Sequence, residues 1–192
     1  MNPLSRLLHW VQEERTTGAP FSHGAVLGTI GRDGSPHTRM LGVHFDADGW
    51  PRFHTSPGSR KVEDIELNPR ASLTFAFQHS LRSVSLEGTL EPIPRHQLSK
   101  DWLALEPSFR RSYLVFGHRS GLPLDAAEAL EQALQALPPG AEDATPDSFI
   151  GYRFTGIGRI AFYSVGTGPF AQHEVFTHCD GSKEWRCLRV VP

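Results

Sequence analysis

The stretch HTSPGSRKVEDIELNPRASLTF, residues 54–75, carries the strongest local structural signals of the chain. An apolar run ends in His54-Thr55, and Pro57-Gly58 follows as a turn. A helix over Ser59–Asn68 then opens on a residue that can cap it. It stops before Pro69, because the residue that precedes a proline disfavours helical backbone. The stretch therefore predicts a strand, a turn, a short helix and a second strand in succession.

Two cations, Arg60 and Lys61, stand at the start of this predicted helix. Free backbone N–H groups and the positive end of the helix dipole make a helix start an anion site, and they disfavour cations by about 0.3–1 kcal/mol each. The arrangement therefore favours a bound phosphate. The alternative is a solvated basic pair tied to Glu63 and Asp64 of the same helix, with each link contributing only tenths of a kcal/mol.

Outward from this stretch, short apolar runs alternate with turn residues such as Asp33-Gly34-Ser35. The predicted strands are Ala25–Gly31, Pro36–Phe45, Pro51–Thr55, Ala71–Phe77, Ser83–Glu91, Phe149–Phe154, Gly158–Ser164 and Trp185–Val191. A hairpin turn near Asp180-Gly181 is expected before the last strand. Many short antiparallel strands with a few helices favour a mainly β (α+β) fold in which the sheet closes into a barrel, because closure removes exposed edges.

Helices are expected on both sides of this barrel. Asn2 can cap an amphipathic helix within residues 1–18. Two further helices are predicted over Arg95–Leu105 and Asp125–Leu137. No element is predicted for Glu106–Leu124, and residues 138–147, rich in Pro, Gly and acids, are predicted to form a flexible loop.

Composition narrows the class of protein. The 192 residues carry a formal charge of −2 and are 39% hydrophobic, which is typical of one globular domain over 1–192 with no general attraction for nucleic acid or a membrane. The two cysteines, Cys179 and Cys187, are expected to be free core thiols, which favours the cytoplasm. The ten histidines show no zinc-site spacing, so no metal is expected.

Several motifs in a fixed order carry a family resemblance. They are Arg39-Met40-Leu41, His54-Thr55, Ser59-Arg60-Lys61, Asn68 to Leu73, Glu87-Gly88, and Trp185 with Arg189 to Pro192. Their order and spacing resemble the pyridoxamine 5′-phosphate oxidase family of FMN-binding split barrels. The resemblance implies an antiparallel split β-barrel with flanking helices. It also implies a homodimer that holds FMN at the subunit interface.

The resemblance assigns a set of cofactor residues. Those expected to contact FMN are Arg39, Met40, Leu41, His54, Thr55, Ser59, Arg60, Lys61, Ser83, Arg119, Ser120 and Tyr163. Arg60 and Lys61 match the phosphate binders. Four positions depart from the family: His54 replaces Tyr, Ser83 replaces Gln, Tyr163 replaces Trp, and Arg119-Ser120 replaces a Gln-Ser pair that reaches FMN from the partner subunit.

The substrate side departs further from the family. His44 stands at a Lys position, and the family's Tyr and Arg fall near Trp102 and Glu106. In the late cluster Ala171 to Val175, two arginines are missing and only His173 is kept. His44, Trp102 and His173 are therefore the predicted substrate residues. A pocket with fewer arginines favours a less anionic substrate.

These observations predict an FMN-dependent oxidoreductase with an altered substrate site. The flavin takes the hydride, so no side chain is assigned as catalytic. Two alternatives remain open at this stage: a non-catalytic flavin- or haem-binding protein, and a reductase that uses the deazaflavin F420 on the same barrel.

Overall fold

The computed structural model describes residues 2–126, 128–178 and 184–192. Its strands are β1 (Gly24–Ile30), β2 (Pro36–Gly42), β3 (His44–Phe45), β4 (Pro51–Thr55), β5 (Arg70–Phe77), β6 (Arg82–Pro92), β7 (Ile150–Ser164), β8 (Gln172–His178) and β9 (Trp185–Val190). Its α-helices are α1 (Pro3–Thr16), α2 (Arg60–Leu67), α3 (Arg95–Ala104), α4 (Pro107–Phe116) and α5 (Glu128–Gln135). Short 3₁₀ turns occupy Gly117–Arg119 and Ala141–Asp143.

All strands pair antiparallel in one sheet of nine strands within the described residues. The order is β2-β1-β5-β6-β7-β4-β3, and the β8–β9 hairpin pairs with β7. The long strand β7 pairs with β4 through its first half and with β8 through its second half, so it joins the two parts of the sheet. This curled sheet is the split-barrel arrangement predicted above.

Strand β7 was predicted as two strands and is one strand of 15 residues. The chain passes through Gly156, whose φ is +53°, a value that favours glycine. Opposite this point, the register of β6 shifts between Glu87 and Thr89. The turn signal in the sequence therefore marks an irregularity inside a continuous strand.

The sheet has two chemically different faces. On the inner face, the register aligns a buried row of Leu27, Leu73, Leu86, Ile160 and Phe176. The next row faces away from this core, because side chains alternate along a strand, and consists of Val26, Thr74, Ser85, Ala161 and Val175. This row of the outer face therefore carries small side chains.

Helix α1 covers one part of the inner core. The Asn2 side chain accepts a hydrogen bond from the Leu4 N–H, as the capping prediction required, and Leu7 and Trp10 are buried. Trp10 packs edge-on against Phe162, with ring centroids 5.1 Å apart. The helix thus contributes its apolar stripe to the same core as the sheet.

The C-terminal third contains elements that sequence patterns left open. The unassigned stretch 106–124 forms α4 and a 3₁₀ turn, and α4 packs on a second core cluster through Tyr113 and Leu114. The helix predicted over 125–137 is α5, while Ala127, Cys179 and the turn predicted at Asp180-Gly181 lie outside the described residues. Among the described residues, no helix is long and apolar enough to cross a membrane.

Candidate functional site at the start of helix α2

The start of α2 gathers hydroxyl groups and a lysine. Thr55 and Ser59 are buried, and their hydroxyl oxygens lie 3.1 Å apart. Lys61 Nζ donates a hydrogen bond of 3.0 Å to Thr55 Oγ1. The Ser59 hydroxyl was expected to cap the helix, but within the described part of the chain it does not bond to the helix backbone and faces Thr55 instead.

The turn before α2 is tightly packed. Ser56 Oγ is buried and has no hydrogen-bond partner among the described residues. A Cβ at Gly58 would lie 2.4 Å from the carbonyl oxygen of His118 and 3.0 Å from that of Ser120, so only glycine fits there. The family resemblance implies that Arg119-Ser120 reaches FMN from the partner subunit. Within one chain, the backbone of this segment packs against the turn before α2.

Asp64 lies at the centre of a second group beside this helix start. Its Oδ2 accepts hydrogen bonds from Thr29 Oγ1 (2.6 Å) and from Arg39 Nη2 (3.3 Å). It also lies 2.9 Å from His37 Nδ1, and His37 Nε2 lies 2.5 Å from Arg60 Nη2. Strand β2 and helix α2 are thereby joined through one buried carboxylate.

The charges of this group do not balance. Burial alone would raise the pKa of Asp64, but hydrogen bonds from Thr29 and His37 and the charge of Arg39 hold it below its ordinary value. Asp64 is therefore a carboxylate at neutral pH, and it stands against three cations: Arg39, Arg60 and Lys61. Burial, and then the neighbouring charge of Arg39, lowers the pKa of Lys61. The helix start thus holds more positive than negative charge.

The alternative interpretation of Arg60 and Lys61 was a solvated basic pair tied to Glu63 and Asp64 within α2, and the observed ion pairs do not agree with it. Glu63 lies 3.9 Å from Arg32, and Asp64 pairs with His37 and Arg39. Both acids therefore have partners outside α2. Among the described residues, Arg60 and Lys61 form no ion pair with a carboxylate.

A second buried carboxylate, Asp101 of α3, lies beyond strand β4. Its Oδ2 accepts a 2.7 Å bond from Arg52 Nη1 and lies 2.9 Å from His54 Nε2, and Gln97 donates to Oδ1 at 3.0 Å. Burial would raise the pKa of Asp101, but the bonds from His54 and Gln97 and the charge of Arg52 hold it below its ordinary value. Burial lowers the pKa of His54.

The side chain of His54, which the resemblance assigns to the cofactor, lies away from the start of α2. His54 and Thr55 are neighbours on a strand, so their side chains point to opposite faces. Thr55 faces Lys61, whereas the His54 ring stacks on Phe149 at 4.7 Å between centroids. The His54 side chain therefore belongs to the Asp101 group and not to the α2 start.

A row of imidazoles continues from His54. The centroid of His44 lies 5.4 Å from that of His54, and the centroid of His23 lies 6.1 Å from that of His44. Burial, followed by the charges of His54, His23 and Arg52, lowers the pKa of His44 to about 4, although the side chain keeps exposed surface. The described His, Cys, Asp and Glu residues form no group of three that could hold a metal ion.

Trp102 was predicted to contact the substrate, and its position in the structure contradicts that prediction. It is fully buried, its Nε1 donates to the carbonyl oxygen of Glu142, and its ring packs against Phe149 at 5.0 Å. Tyr113 packs on the same Phe149 ring at 5.1 Å. A buried ring of this kind has no surface for a substrate, so Trp102 is a core residue.

Other predicted residues lie on the outer face of the sheet. The register aligns Ser83, Tyr163 and His173 in one row, and the rings of the last two are 6.0 Å apart. Met40 is 67% exposed on the outer face of β2, while Leu41 packs against the inner core. Arg39 turns inward to Thr29. Within one chain, the Ser83 row and the α2 start are therefore on opposite faces of the sheet.

Sequence reasoning missed His37 and Arg52, which each share a strand with a predicted residue, Arg39 or His54. His37 and Arg39 are two residues apart on β2, and Arg52 and His54 are two residues apart on β4. The period-two rule places each pair on one face, and that signal was available in the sequence. The buried carboxylates that join these pairs come from separate helices and carried no comparable signal.

The fold is a split barrel, and the start of α2 carries an excess of positive charge. A family profile described as pyridoxamine 5′-phosphate oxidase matches residues 20–128, more than half of the 192-residue chain. The chain belongs to the pyridoxamine 5′-phosphate oxidase family.

Relatives and solved structures agree with this placement. A pyridoxine/pyridoxamine 5′-phosphate oxidase of Rubrobacter xylanophilus is 30% identical over 196 residues, covering 100% of this chain and 87% of the relative. The enzyme of that name from Rhodopseudomonas palustris is 25% identical over 197 residues, covering 100% and 90%. PhzG from Burkholderia lata superposes with a TM-score of 0.84 at 19% identity, covering 99% of this chain and 92% of PhzG. A pyridoxamine 5′-phosphate oxidase-related, FMN binding protein from Nostoc punctiforme superposes with a TM-score of 0.81 at 20% identity, covering 98% and 96%. These structures confirm the split-barrel fold.

Proposed function

We propose that this protein is an FMN-dependent oxidoreductase that seats the flavin phosphate at the start of α2. The observation that carries the proposal is the unbalanced positive charge of Arg39, Arg60 and Lys61 around a single carboxylate, Asp64. A phosphate monoester would balance this charge with short charge-assisted hydrogen bonds. FMN carries such a phosphate, and the Nostoc punctiforme structure is that of an FMN binding protein of the same fold.

The residues at the helix start fit a phosphate in three ways. The first turn of α2 presents free N–H groups at the positive end of the helix dipole. Ser56 Oγ is a buried hydroxyl without a partner among the described residues, and a phosphate oxygen can accept its hydrogen. Gly58 keeps the chain close to the 118–120 segment, where any side chain would collide. Ser59, Arg60 and Lys61 would hold the phosphate, with Thr55 orienting Lys61.

Bound FMN would supply hydride transfer, and the protein would supply binding, orientation and protection from water. Within one chain, Ser83, Tyr163 and His173 lie across the sheet from the α2 start. These side chains can meet a flavin seated there only if a second copy presents its own outer face. We therefore include a two-fold homodimer in the proposal. The exposed apolar side chains of Met40, Leu188 and Val190 on the outer strands would be covered in such a dimer.

The substrate side fits a ring that carries no phosphate. Arg110 and Arg111 do not replace the missing arginines, because they donate to the backbone carbonyl and the carboxylate of Glu142. His44 and His173 remain as the polar contacts. PhzG, which has the same fold, was solved with tetrahydrophenazine-1-carboxylic acid, a partly reduced ring system without phosphate. We propose a partly reduced heteroaromatic ring as the substrate class.

Flavin binding tests the phosphate seat. The dissociation constants of FMN and riboflavin are measured by fluorescence for the parent protein and for Arg60→Ala/Lys61→Ala. Two lost charge-assisted bonds should raise the FMN constant at least about tenfold, whereas riboflavin, which has no phosphate, should be nearly unaffected. The matched control is Arg15→Ala/Lys100→Ala, which removes one exposed arginine and one exposed lysine from α1 and α3.

If the double variant binds FMN with unchanged affinity, the proposal that the phosphate binds at the start of α2 is wrong.

Two further measurements test the rest of the proposal. Light scattering of the parent should give twice the chain mass of 21.3 kDa. Turnover with a reduced ring compound and oxygen separates an oxidoreductase from a protein that only binds flavin.

A further inference from the structure

His37 stands between Asp64 and Arg60 and contacts both. Its Nδ1 lies 2.9 Å from Asp64 Oδ2, and its Nε2 lies in hydrogen-bond contact with Arg60 Nη2. A guanidinium can only donate hydrogen bonds, so His37 Nε2 must accept. The ring proton is then on Nδ1, where it donates to the carboxylate. The two contacts together fix one tautomer of His37 and one ring orientation.

The Asp64 carboxylate, which holds His37, is buried and accepts several hydrogen bonds. The Asp64 side chain is 4% exposed, and its Oδ2 also accepts hydrogen bonds from Thr29 and Arg39. The His37 side chain is 13% exposed. Arg60, in contrast, is an exposed side chain at the first position of α2. Among the described residues, its hydrogen bond is to His37 and it has no ion pair.

We propose that His37 is a positioning residue that holds the Arg60 guanidinium ready for the flavin phosphate. This inference rests on the proposed function of the α2 start. An arginine side chain loses considerable rotamer freedom when it binds an anion, and a side chain that is already held in place loses less. The contact uses one hydrogen of Nη2, which leaves the Nε and Nη1 donors of Arg60 for the phosphate.

Two substitutions separate the two halves of the contact. His37→Gln places a carboxamide oxygen near the position of Nε2, so it keeps an acceptor for Arg60. His37→Asn places an amide near the position of Nδ1, so it keeps the donor to Asp64 and loses the acceptor for Arg60. We expect His37→Asn to raise the FMN dissociation constant about three- to tenfold and His37→Gln to change it less than about twofold. Both variants should bind riboflavin like the parent.

A double-mutant cycle tests whether His37 acts through Arg60. In an Arg60→Ala background, His37→Asn should have no further effect on FMN affinity, because the side chain that it holds is gone. Circular dichroism and the thermal midpoint of each variant show that the fold is kept. If His37→Asn binds FMN as tightly as the parent, if His37→Gln is as weak as His37→Asn, or if the effect persists without Arg60, the positioning role is wrong.

The same measurements separate this inference from the proposed function. If Arg60→Ala/Lys61→Ala raises the FMN constant and His37→Asn does not, the phosphate seat stands and only the role of His37 fails. If the double variant leaves FMN affinity unchanged, both fail together.

Discussion

Asp64 and Asp101 are two buried carboxylates with nearly the same partners. Asp64 is bound by His37 at 2.9 Å and Arg39 at 3.3 Å, and Asp101 by His54 at 2.9 Å and Arg52 at 2.7 Å. A neutral donor completes each set: Thr29 for Asp64 and Gln97 for Asp101. Both aspartates have a pKa below the ordinary value for the same reasons. The local chemistry of the two groups is therefore alike.

The two groups differ in what surrounds them. Beside Asp64, the start of α2 adds Arg60 and Lys61, so positive charge remains after the carboxylate is paired. Beside Asp101, the neighbours are the Phe149 ring and the imidazole of His44. Within the part of the chain that the structure describes, Arg52 is the one arginine or lysine paired with it. The two ends therefore differ in the positive charge that is left after pairing: it remains at the start of α2 and does not remain beside Asp101. We expect an anion to bind at the first end only.

The largest expected effect concerns the substrate side. Because the arginines that the resemblance implies are missing there, the FMN-loaded protein should be a poor pyridoxine 5′-phosphate oxidase. Ala171 and Val175 stand where the family resemblance implies arginines, and Arg110 and Arg111 are bound to Glu142. Two or three lost charge-assisted contacts correspond to at least about a hundredfold in kcat/KM.

Oxygen uptake with pyridoxine 5′-phosphate measures this, with the Rubrobacter xylanophilus relative assayed under the same conditions. His44→Lys restores a cation at the position where the resemblance implies lysine, and it should recover part of the activity. Saturation of the parent at micromolar substrate with ordinary turnover would show that another cation, such as Arg119, compensates.

The α2 end could be predicted from sequence, and the Asp101 end could not. Ser59, Arg60 and Lys61 are consecutive, so a helix start and two charges are visible in one short segment. The Asp101 group joins β4 to a helix more than forty residues later, with contacts separated by 47 and 49 positions. Such contacts depend on how α3 docks. For the same reason Trp102, which had been assigned to the substrate, is in the core beside Phe149.

The burial of Trp102 reflects a helix that the sequence patterns missed. Helix α4 has no fully buried residue along Pro107–Phe116. Its sequence therefore lacks the stripe of buried apolar residues that would mark a helix. Tyr113 nevertheless packs on Trp102 and Phe149, with ring centroids at 6.4 and 5.1 Å. A half-buried helix of this kind is stabilised by tertiary packing more than by its own periodicity.

The next effect concerns stability. Asp101→Asn removes the carboxylate and leaves Arg52, whose side chain is 16% exposed, as a largely buried cation. We expect the free energy of unfolding to fall by about 2–3 kcal/mol in urea denaturation. Gln97→Ala removes a neutral donor from the same carboxylate and should cost only about 0.5–1.5 kcal/mol.

The two carboxylates should also differ in their effect on flavin. Asp101→Asn should leave FMN affinity unchanged, whereas Asp64→Asn should reduce it, because Asp64 anchors His37 beside Arg60. Equal loss of FMN affinity in both variants would contradict the distinction between the two ends.

The smallest effect is a change in the pH dependence of stability. The pKa of His44 is about 4 in the folded protein, against an ordinary value of 6.5. Between these values the unfolded chain binds more protons than the folded chain, so acid favours unfolding. The pKa of His54 is also lowered and acts in the same direction. The lowered carboxylate pKa values of Asp64 and Asp101 act at lower pH, because their contribution is lost below the ordinary value of 3.8.

The free energy of unfolding should therefore decrease as the pH falls from about 6.5 toward 4, and His44→Gln should make this decrease shallower. The change should be modest, because His44 keeps exposed surface and its charged form is partly hydrated in the folded protein. Urea denaturation across this range measures the slope for each variant. The matched control is His9→Gln, which removes an exposed imidazole of α1 outside the row and should keep the parent slope. A parent slope in His44→Gln would show that His44 is hydrated like a surface histidine and that burial does not lower its pKa.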